Sequence, residues 1–251
     1  TTSRKFLYWF LMIRPMVESQ EKGELFCFVA NLHSLTSVYD REKMISYTND
    51  AIIDLLSLGI DPEKSVFWVQ SDVPEVAEIT WYLNNITPVG LLERSHAYKD
   101  ALARGLQASN GLFSYPVLMA ADILAYQANR VPVGKDQKQH LEIARDLAIK
   151  FNSTYGDVFT IPEPEIKDDL AVIPGIDGQK MSKSYGNTIE IFGDEKSIRK
   201  KVMSIVTDST PVDAPKDPGN NIIFNIYKHF ASDSGTEIMA ERFRAGGYGY
   251  G

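Results

Sequence analysis

Apolar residues fall along this chain in two alternating patterns. Leu25-Phe-Cys-Phe-Val-Ala30 and Val66-Phe-Trp-Val69 are short, continuously apolar runs closed by polar residues, the pattern of strands buried on both faces. Arg130-Val-Pro-Val133 reads as a third strand. Between the first two, Met44, Ile45, Ile52, Leu55 and Leu56 recur at helical spacing, predicting a helix from about Tyr39 to Leu58 that Gly59 stops. Pro74 to Leu83 predicts a second helix with proline at its start. Helical stretches continue through Leu91–Leu106 and Pro116–Gln127. A further helix is predicted from Asp136 to Phe151, with Leu141, Ala144, Leu147, Ala148 and Phe151 on one face.

Buried strands alternating with amphipathic helices predict an α/β fold, a doubly wound parallel sheet with helices on both faces. Such sheets bind ligands beyond the carboxyl ends of their strands, so the chemistry is expected where strands end. After about residue 160 the texture changes. A Pro- and Asp-rich connection leads to a Ser/Lys loop, Gly178 to Gly186, and then to a helix carrying Ile198, Val202 and Ile205. A Pro/Asp/Gly linker (Pro211–Gly219) and a helix over Ile222–Phe230 follow. The predicted division is an α/β catalytic domain at 1–188 and a partial helical domain at 189–251. The glycine-rich end, Gly246-Gly-Tyr-Gly-Tyr-Gly251, follows a helix and opens none, so a dinucleotide-binding reading is rejected.

Composition narrows the function classes. The 251 residues carry a formal charge of −7, so no global basic field attracts nucleic acid and any RNA partner must meet a local patch. Cys27 is the only cysteine, which excludes an intrachain disulfide and a cysteine metal cluster. His33, His96, His140 and His229 lack ligand spacing, and a reducing cytoplasm is the natural inference. The apolar run Phe6–Ile13 follows Arg4-Lys5 but is far shorter than the roughly 20 residues a membrane span needs. No small-residue cleavage site follows it, so a buried strand or helix is preferred to a signal peptide.

Four segments carry candidate chemistry. Lys180-Met-Ser-Lys-Ser184, set between Gly178 and Gly186, places two lysines in a small hydroxyl-rich loop. Such a loop can close over a polyphosphate and offset charge on departing pyrophosphate, although by composition alone it could be a solvated turn. In Pro116-Val-Leu-Met-Ala-Ala-Asp-Ile-Leu-Ala125, Asp122 interrupts an oily helix with Met119 on the same face. A carboxylate there needs a partner, either a ligand N–H or an Arg or Tyr of the core. Val131-Pro-Val-Gly-Lys-Asp-Gln-Lys-Gln-His140 joins a strand to a helix start through Gly134, which suits an anionic or ribose ligand. Asp136 with Gln139 also makes an acceptable capping box, and capping alone accounts for both. Finally, Asn31-Leu-His-Ser-Leu-Thr36 turns after the first strand and sets His33 at the sheet edge, in a structural or a functional role.

Together these segments resemble the bacterial-type tryptophanyl-tRNA synthetases, within the class I aminoacyl-tRNA synthetases, from about Pro15 to the end of the chain. The motifs that carry the resemblance are Tyr115–Leu124, Val131–His140 and Gly178–Ser184, with Leu92-Glu-Arg94, Val206–Ser209 and Gly247-Tyr-Gly249 in support. Tyrosyl-tRNA synthetases share the fold and the lysine–serine loop but typically lack the Met-Ala-Ala-Asp helix and the Gly-x-Asp-Gln-Lys-Gln-His stretch. The resemblance implies a Rossmann-like fold and an ATP-dependent tryptophan–tRNA ligase. Asp122 would accept the indole N–H, with Met119, His33, Val131 and Val133 around the ring and Gln137 at the amino acid's polar end. Gly134, Lys135 and Asp136 would line the adenosine site, with Ile173 against the adenine. The loop Lys180, Met181, Ser182, Lys183 and Ser184 would close over the phosphates, with Lys180, Ser182 and Lys183 as the catalytic set. Mg²⁺ would ride on the phosphates of ATP, with no protein metal ligand. The partners implied are tRNA(Trp), L-tryptophan and a second copy of the chain, with Thr87–Leu106 as the dimer segment and no membrane.

The resemblance breaks at the amino end. The family carries a His- and Gly-containing turn that should fall near Thr1 to Arg14, and neither residue stands there. An altered stretch, a degenerate protein, or a substitute element elsewhere would each account for this. Bulky aromatics in a turn that needs glycine would impair adenylate formation. The chain is expected to be incomplete at both ends, the carboxyl end stopping within helices that read the anticodon. The rivals are a tyrosyl-tRNA synthetase and a non-catalytic synthetase-like protein that binds tryptophan or ATP.

Overall fold

The computed structural model describes residues 13–105, 107–134, 138–166, 173–182 and 185–250, save the side chain of Ala97. The expected His/Gly signature region up to residue 12, together with Lys135, Asp136, Gln137, Lys183 and Ser184, lies outside the described residues. The chain forms two compact units. One comprises residues 24–52 and 62–169, and the other the described parts of 1–23, 53–61 and 170–251. The boundary expected after residue 188 falls inside the latter, because Thr188 and Ile189 are buried there and Ile189 packs with Ile226 from beyond it.

A short helix α1 (Arg14–Ser19) precedes the first strand. In the 24–52/62–169 unit, β1 (Leu25–Val29) and β2 (Ser65–Val69) pair in parallel with Cys27 opposite Phe67. Their crossover contains a one-turn helix α2 (Asn31–Ser34) and the long helix α3 (Arg41–Ser57). The apolar runs are not buried on both faces as expected. Cys27 and Val29 point inward, whereas Phe26 is 40% and Val66 43% exposed. Aromatic side chains occupy that second face, with Phe28 stacked on Trp68 at 5.1 Å and Trp68 against Tyr126 at 4.5 Å.

Next come a 3₁₀ turn, Gln70–Asp72, and α4 (Glu75–Ile86), whose cap is Pro74 and whose first turn holds Glu75 and Glu78 near the positive helix end. The stretch expected over Leu91–Leu106 divides into α5 (Val89–Leu92) and α6 (His96–Ala103), because Ser95 adopts extended backbone, ψ 139°. α7 (Asn110–Leu124) starts well before Pro116, where Ser109 accepts the Leu112 N–H at 3.1 Å as its cap. Pro116 lies inside this helix, so the Leu112 carbonyl loses its usual helical donor.

β3 (Arg130–Val133) continues through α8 (Lys138–Tyr155) into β4 (Glu163–Ile166), and the two strands pair in parallel. β4 lies within the Pro- and Asp-rich stretch, whose sequence predicts no strand. The core of this unit is the contact of α4, α7 and α8, where Val76, Leu83, Val117, Leu124, Leu141 and Leu147 are fully enclosed. Each such aliphatic side chain contributes about 1.5–3 kcal/mol on burial. Ala120, Ala121, Ala144 and Ala148 let the helix backbones approach. Parallel β-α-β crossovers around this core make the unit α/β, as the hydrophobic pattern predicts.

The other unit is mostly helical beyond its loop. It contains α9 (Glu195–Val202), α10 (Ile222–Tyr227) and α11 (Asp233–Ala245). Each starts on a side-chain cap, supplied by Asp194, Asn221 and Ser232. Ile173, Met181, Ile189 and Ile226 form one apolar cluster, and Phe224, Ala240 and Phe243 another. Buried Lys216 donates to the carbonyls of Pro211, Val212 and Ala214, which pins the linker into a closed turn. Among the described residues no helix is long and apolar enough to cross a membrane.

Candidate active site

Asp122 sits where α7 passes the carboxyl ends of β1 and β2, and only 6% of it is exposed. Its two oxygens are held from two directions. Gln70 Nε2 donates to Oδ1 at 2.7 Å and to Oδ2 at 2.9 Å. His33 Nε2 lies 2.8 Å from Oδ2. A carboxylate only accepts, so His33 carries a proton on Nε2 in this arrangement. Among the described residues, no Arg or Tyr hydrogen-bonds this carboxylate. The partners are a glutamine and the histidine of the β1 turn. Among the described residues Oδ1 has one donor and keeps acceptor capacity for another.

Tyr115, Met119 and Asp122 recur at helical spacing on one face of α7, and Tyr115 and Met119 are half-buried beside fully buried neighbours. His33 meets the Tyr115 ring edge-on at 6.2 Å. Tyr115 Oη is 2.6 Å from Nε2 of buried His140 on α8, and burial holds the Tyr115 phenol above its ordinary range. Val131 and Val133 occupy alternate positions of β3 and pack on the same core as Met119. Gly134 follows directly at the strand's carboxyl end. The capping box expected of Asp136 and Gln139 involves a residue outside the described ones; among the described residues the Gln139 carboxamide accepts from His96 N at 3.3 Å and donates to Arg94 O at 3.4 Å. It thereby ties the α5–α6 turn to α8.

The lysine–serine loop, in the other unit, is organised by Asn187. Asn187 Oδ1 accepts from Ser182 N at 2.8 Å, and its Nδ2 donates to Asp177 Oδ1 at 2.8 Å and to Lys180 O at 3.2 Å. The bond from Asn187 is the largest cause holding the Asp177 carboxyl below its ordinary range. A β-carbon at Gly175 would stand 2.3 Å from Asn187 Nδ2, so only glycine fits. Gly178 and Gly186 take positive φ, 79° and 66°, and let the chain enter and leave. Met181 N donates to Ile173 O at 2.8 Å, and Pro174 bridges Lys180 in antiparallel fashion. The short extended run points its side chains alternately. Lys180 is exposed, Met181 is 1% exposed in the isoleucine cluster, and Ser182 is half-buried. Ile173 is buried beside Met181, so the side chains of both serve packing.

Of the residues proposed from sequence, the structure gathers His33, Met119, Asp122, Val131, Val133 and Gly134 in one unit. It sets Ile173, Lys180, Met181 and Ser182 in the other. Gln70, Tyr115, His140 and Asn187 entered no predicted site. Gln70 closes the apolar run of β2 as His33 follows that of β1, a parallel that could have drawn attention to it. Among the described residues no group of three or more His, Cys, Asp or Glu side chains is placed to hold a metal ion.

Parallel strands with a polar cluster at their carboxyl ends, together with a glycine-bounded lysine–serine loop, are the parts of a class I synthetase. Residues 6–249 match the family model for tRNA synthetases class I (W and Y), and the chain belongs to that family. Within it, the Tryptophan–tRNA ligase of Campylobacter jejuni is 55% identical over 243 residues, covering 97% of this chain and 76% of that protein. That of Rhodopirellula baltica is 52% identical over 97% of this chain and 76% of its own length. The crystal structure of tryptophanyl-tRNA synthetase from C. jejuni complexed with ADP and tryptophan matches with TM-score 0.89 and 54% identity, over 98% of this chain and 77% of that one. A tyrosyl-tRNA synthetase from Archaeoglobus fulgidus shares the fold alone, at TM-score 0.62 and 20% identity.

Proposed function

We propose that the chain activates L-tryptophan with ATP and transfers it to tRNA(Trp). A tryptophan carboxylate oxygen attacks the α-phosphorus, the bond to the bridging oxygen breaks, and pyrophosphate leaves. A hydroxyl of the terminal tRNA ribose then attacks the adenylate carbonyl and releases AMP. No enzyme nucleophile is required, and positioning with charge stabilisation carries the rate. The observation that carries this reading is Asp122, a nearly enclosed carboxylate whose Oδ1 can still accept a donor, in a chain 55% identical to a tryptophan–tRNA ligase.

In this reading Asp122 takes the indole N–H, Met119, His33, Val131 and Val133 form the ring walls, and Gln137 holds the polar end. Tyr115 joins them as a half-buried hydroxyl on the same helix face. Gly134, Lys135 and Asp136 serve the adenosine, and Ile173 meets adenine through its backbone, its side chain being buried. Lys180, Ser182, Lys183 and Ser184 close on the phosphates, while Met181 anchors the loop. Mg²⁺ bound to ATP would add charge neutralisation at the phosphates. The segment 189–251 is assigned to tRNA, the protein to the cytoplasm, and Thr87–Leu106 to a homodimer contact.

ATP–pyrophosphate exchange with tryptophan and tyrosine side by side tests the proposal. Exchange with tryptophan alone is expected. Exchange with tyrosine alone would transfer the chain to the tyrosine branch. Tryptophan binding without exchange would make it a non-catalytic binding protein.

A further inference from the structure

Gln70 is fully enclosed, 0% exposed, at the point where β2 gives way to its 3₁₀ turn. The orientation of its carboxamide follows from its partners. Oε1 accepts the backbone N–H of Leu32 at 3.0 Å, so the atom facing Asp122 is Nε2. That nitrogen spans both carboxylate oxygens, at 2.7 and 2.9 Å. Leu32 immediately precedes His33, the other partner of Asp122. One side chain therefore holds the carboxylate and also the turn that presents its second donor.

The terminal torsion of an aspartate is broad and nearly two-fold, so a carboxylate held at one oxygen swivels. His33 alone holds only Oδ2. The donor that reaches both oxygens is Gln70, and among the described residues it is the one donor to Oδ1. An enclosed amide is costly to bury unless its polar atoms are satisfied, and both of these are spent on this cluster.

We infer that Gln70 is the positioning residue for indole recognition. It locks the plane of the Asp122 carboxylate so that the substrate N–H meets an oriented acceptor. The inference rests on Asp122 being that acceptor, and the test separates the two. Tryptophan is compared with β-(benzothiophen-3-yl)alanine, in which sulfur replaces the indole N–H. The readout is the ratio of their kcat/KM values in ATP–pyrophosphate exchange, a ratio independent of how much enzyme is folded. Gln70→Met should lower the preference for tryptophan about tenfold or more, the scale of a hydrogen bond to a charged group. Asp122→Ala should lower it at least as far.

An equal loss for both substrates in Gln70→Met, beside a collapsed preference in Asp122→Ala, would make Gln70 merely structural and overturn the inference. An unchanged preference in Asp122→Ala would instead remove the acceptor reading, and the inference with it. If Gln70→Met does not fold, Gln70→Glu keeps the acceptor for Leu32 N but sets a like charge against Asp122. The same fall in preference is expected there, and an unchanged ratio overturns the inference.

Discussion

Asn187 Oδ1 accepts the backbone N–H of Ser182 at 2.8 Å, so the middle of the lysine–serine loop hangs on one buried amide. Asn187→Ala removes that bond and those to Asp177 and Lys180 O. Each is worth about 0.5–1.5 kcal/mol net, so a ten- to hundredfold fall in kcat for pyrophosphate exchange is expected, with KM for tryptophan little changed. Gly175→Ala should reproduce the phenotype, because its methyl group would occupy the place of the amide. Steady-state exchange kinetics on both variants check this.

Removing Asp122 should cost stability through what it leaves behind. In Asp122→Ala the Gln70 amide stays buried without its acceptor, a penalty of about 1–3 kcal/mol. Adding Gln70→Met to Asp122→Ala should cost less than Gln70→Met costs in the parent, since the Leu32 N–H loses its acceptor in both backgrounds but the bond to Asp122 is lost only in the parent. Denaturant unfolding of the single and double variants measures the difference. Losses that simply add in the double variant would contradict the pairing.

Cys27 is buried on β1, and burial pushes its thiol up to about 12. The reactive thiolate is therefore scarce at neutral pH. Titration with a disulfide reagent should find no reactive thiol in the native protein and one after denaturation, matching the single cysteine of the chain.

Burial first, then the charges of Lys228 and Arg14, lower His229 from 6.5 to about 4. Between those values the unfolded chain takes up a proton that the folded chain resists. Stability should therefore be flat above about pH 6.5 and decline as pH falls toward 4. Thermal midpoints recorded across that window should fall less steeply in His229→Asn than in the parent.

The dimer proposal has a surface to test. Val89 on α5 and Leu102 on α6 are 63% and 53% exposed within the Thr87–Leu106 segment. Val89→Asp with Leu102→Asp is expected to shift a sedimenting dimer to monomer. An unchanged sedimentation coefficient would place the contact elsewhere.

Legibility varied with how much of each element's reason is local. The β1 run and α8 are readable because their own apolar residues, Cys27 and Val29 on the one and Leu141, Ala144, Leu147 and Ala148 on the other, are buried; β2 is readable from its run although none of its apolar side chains is buried. β4 was not, since Glu163-Pro-Glu-Ile166 has poor strand formers and exists by pairing with β3. The start of α7 was misplaced because proline usually opens a helix, whereas Ser109 opens this one. Asp122 stood out as a lone charge in an oily helix. Gln70 did not, because its importance comes from a residue 52 positions away. Asn187 likewise reveals its role only once the loop folds around it.

Met181 is the second residue of the lysine–serine motif, and its side chain is sunk among isoleucines. A thioether turned into a sulfoxide is polar and could not be kept there at low cost. The enclosure that anchors the motif also shields that sulfur from oxidants. Oxidation of this sulfur would thus require local opening of the segment around the motif.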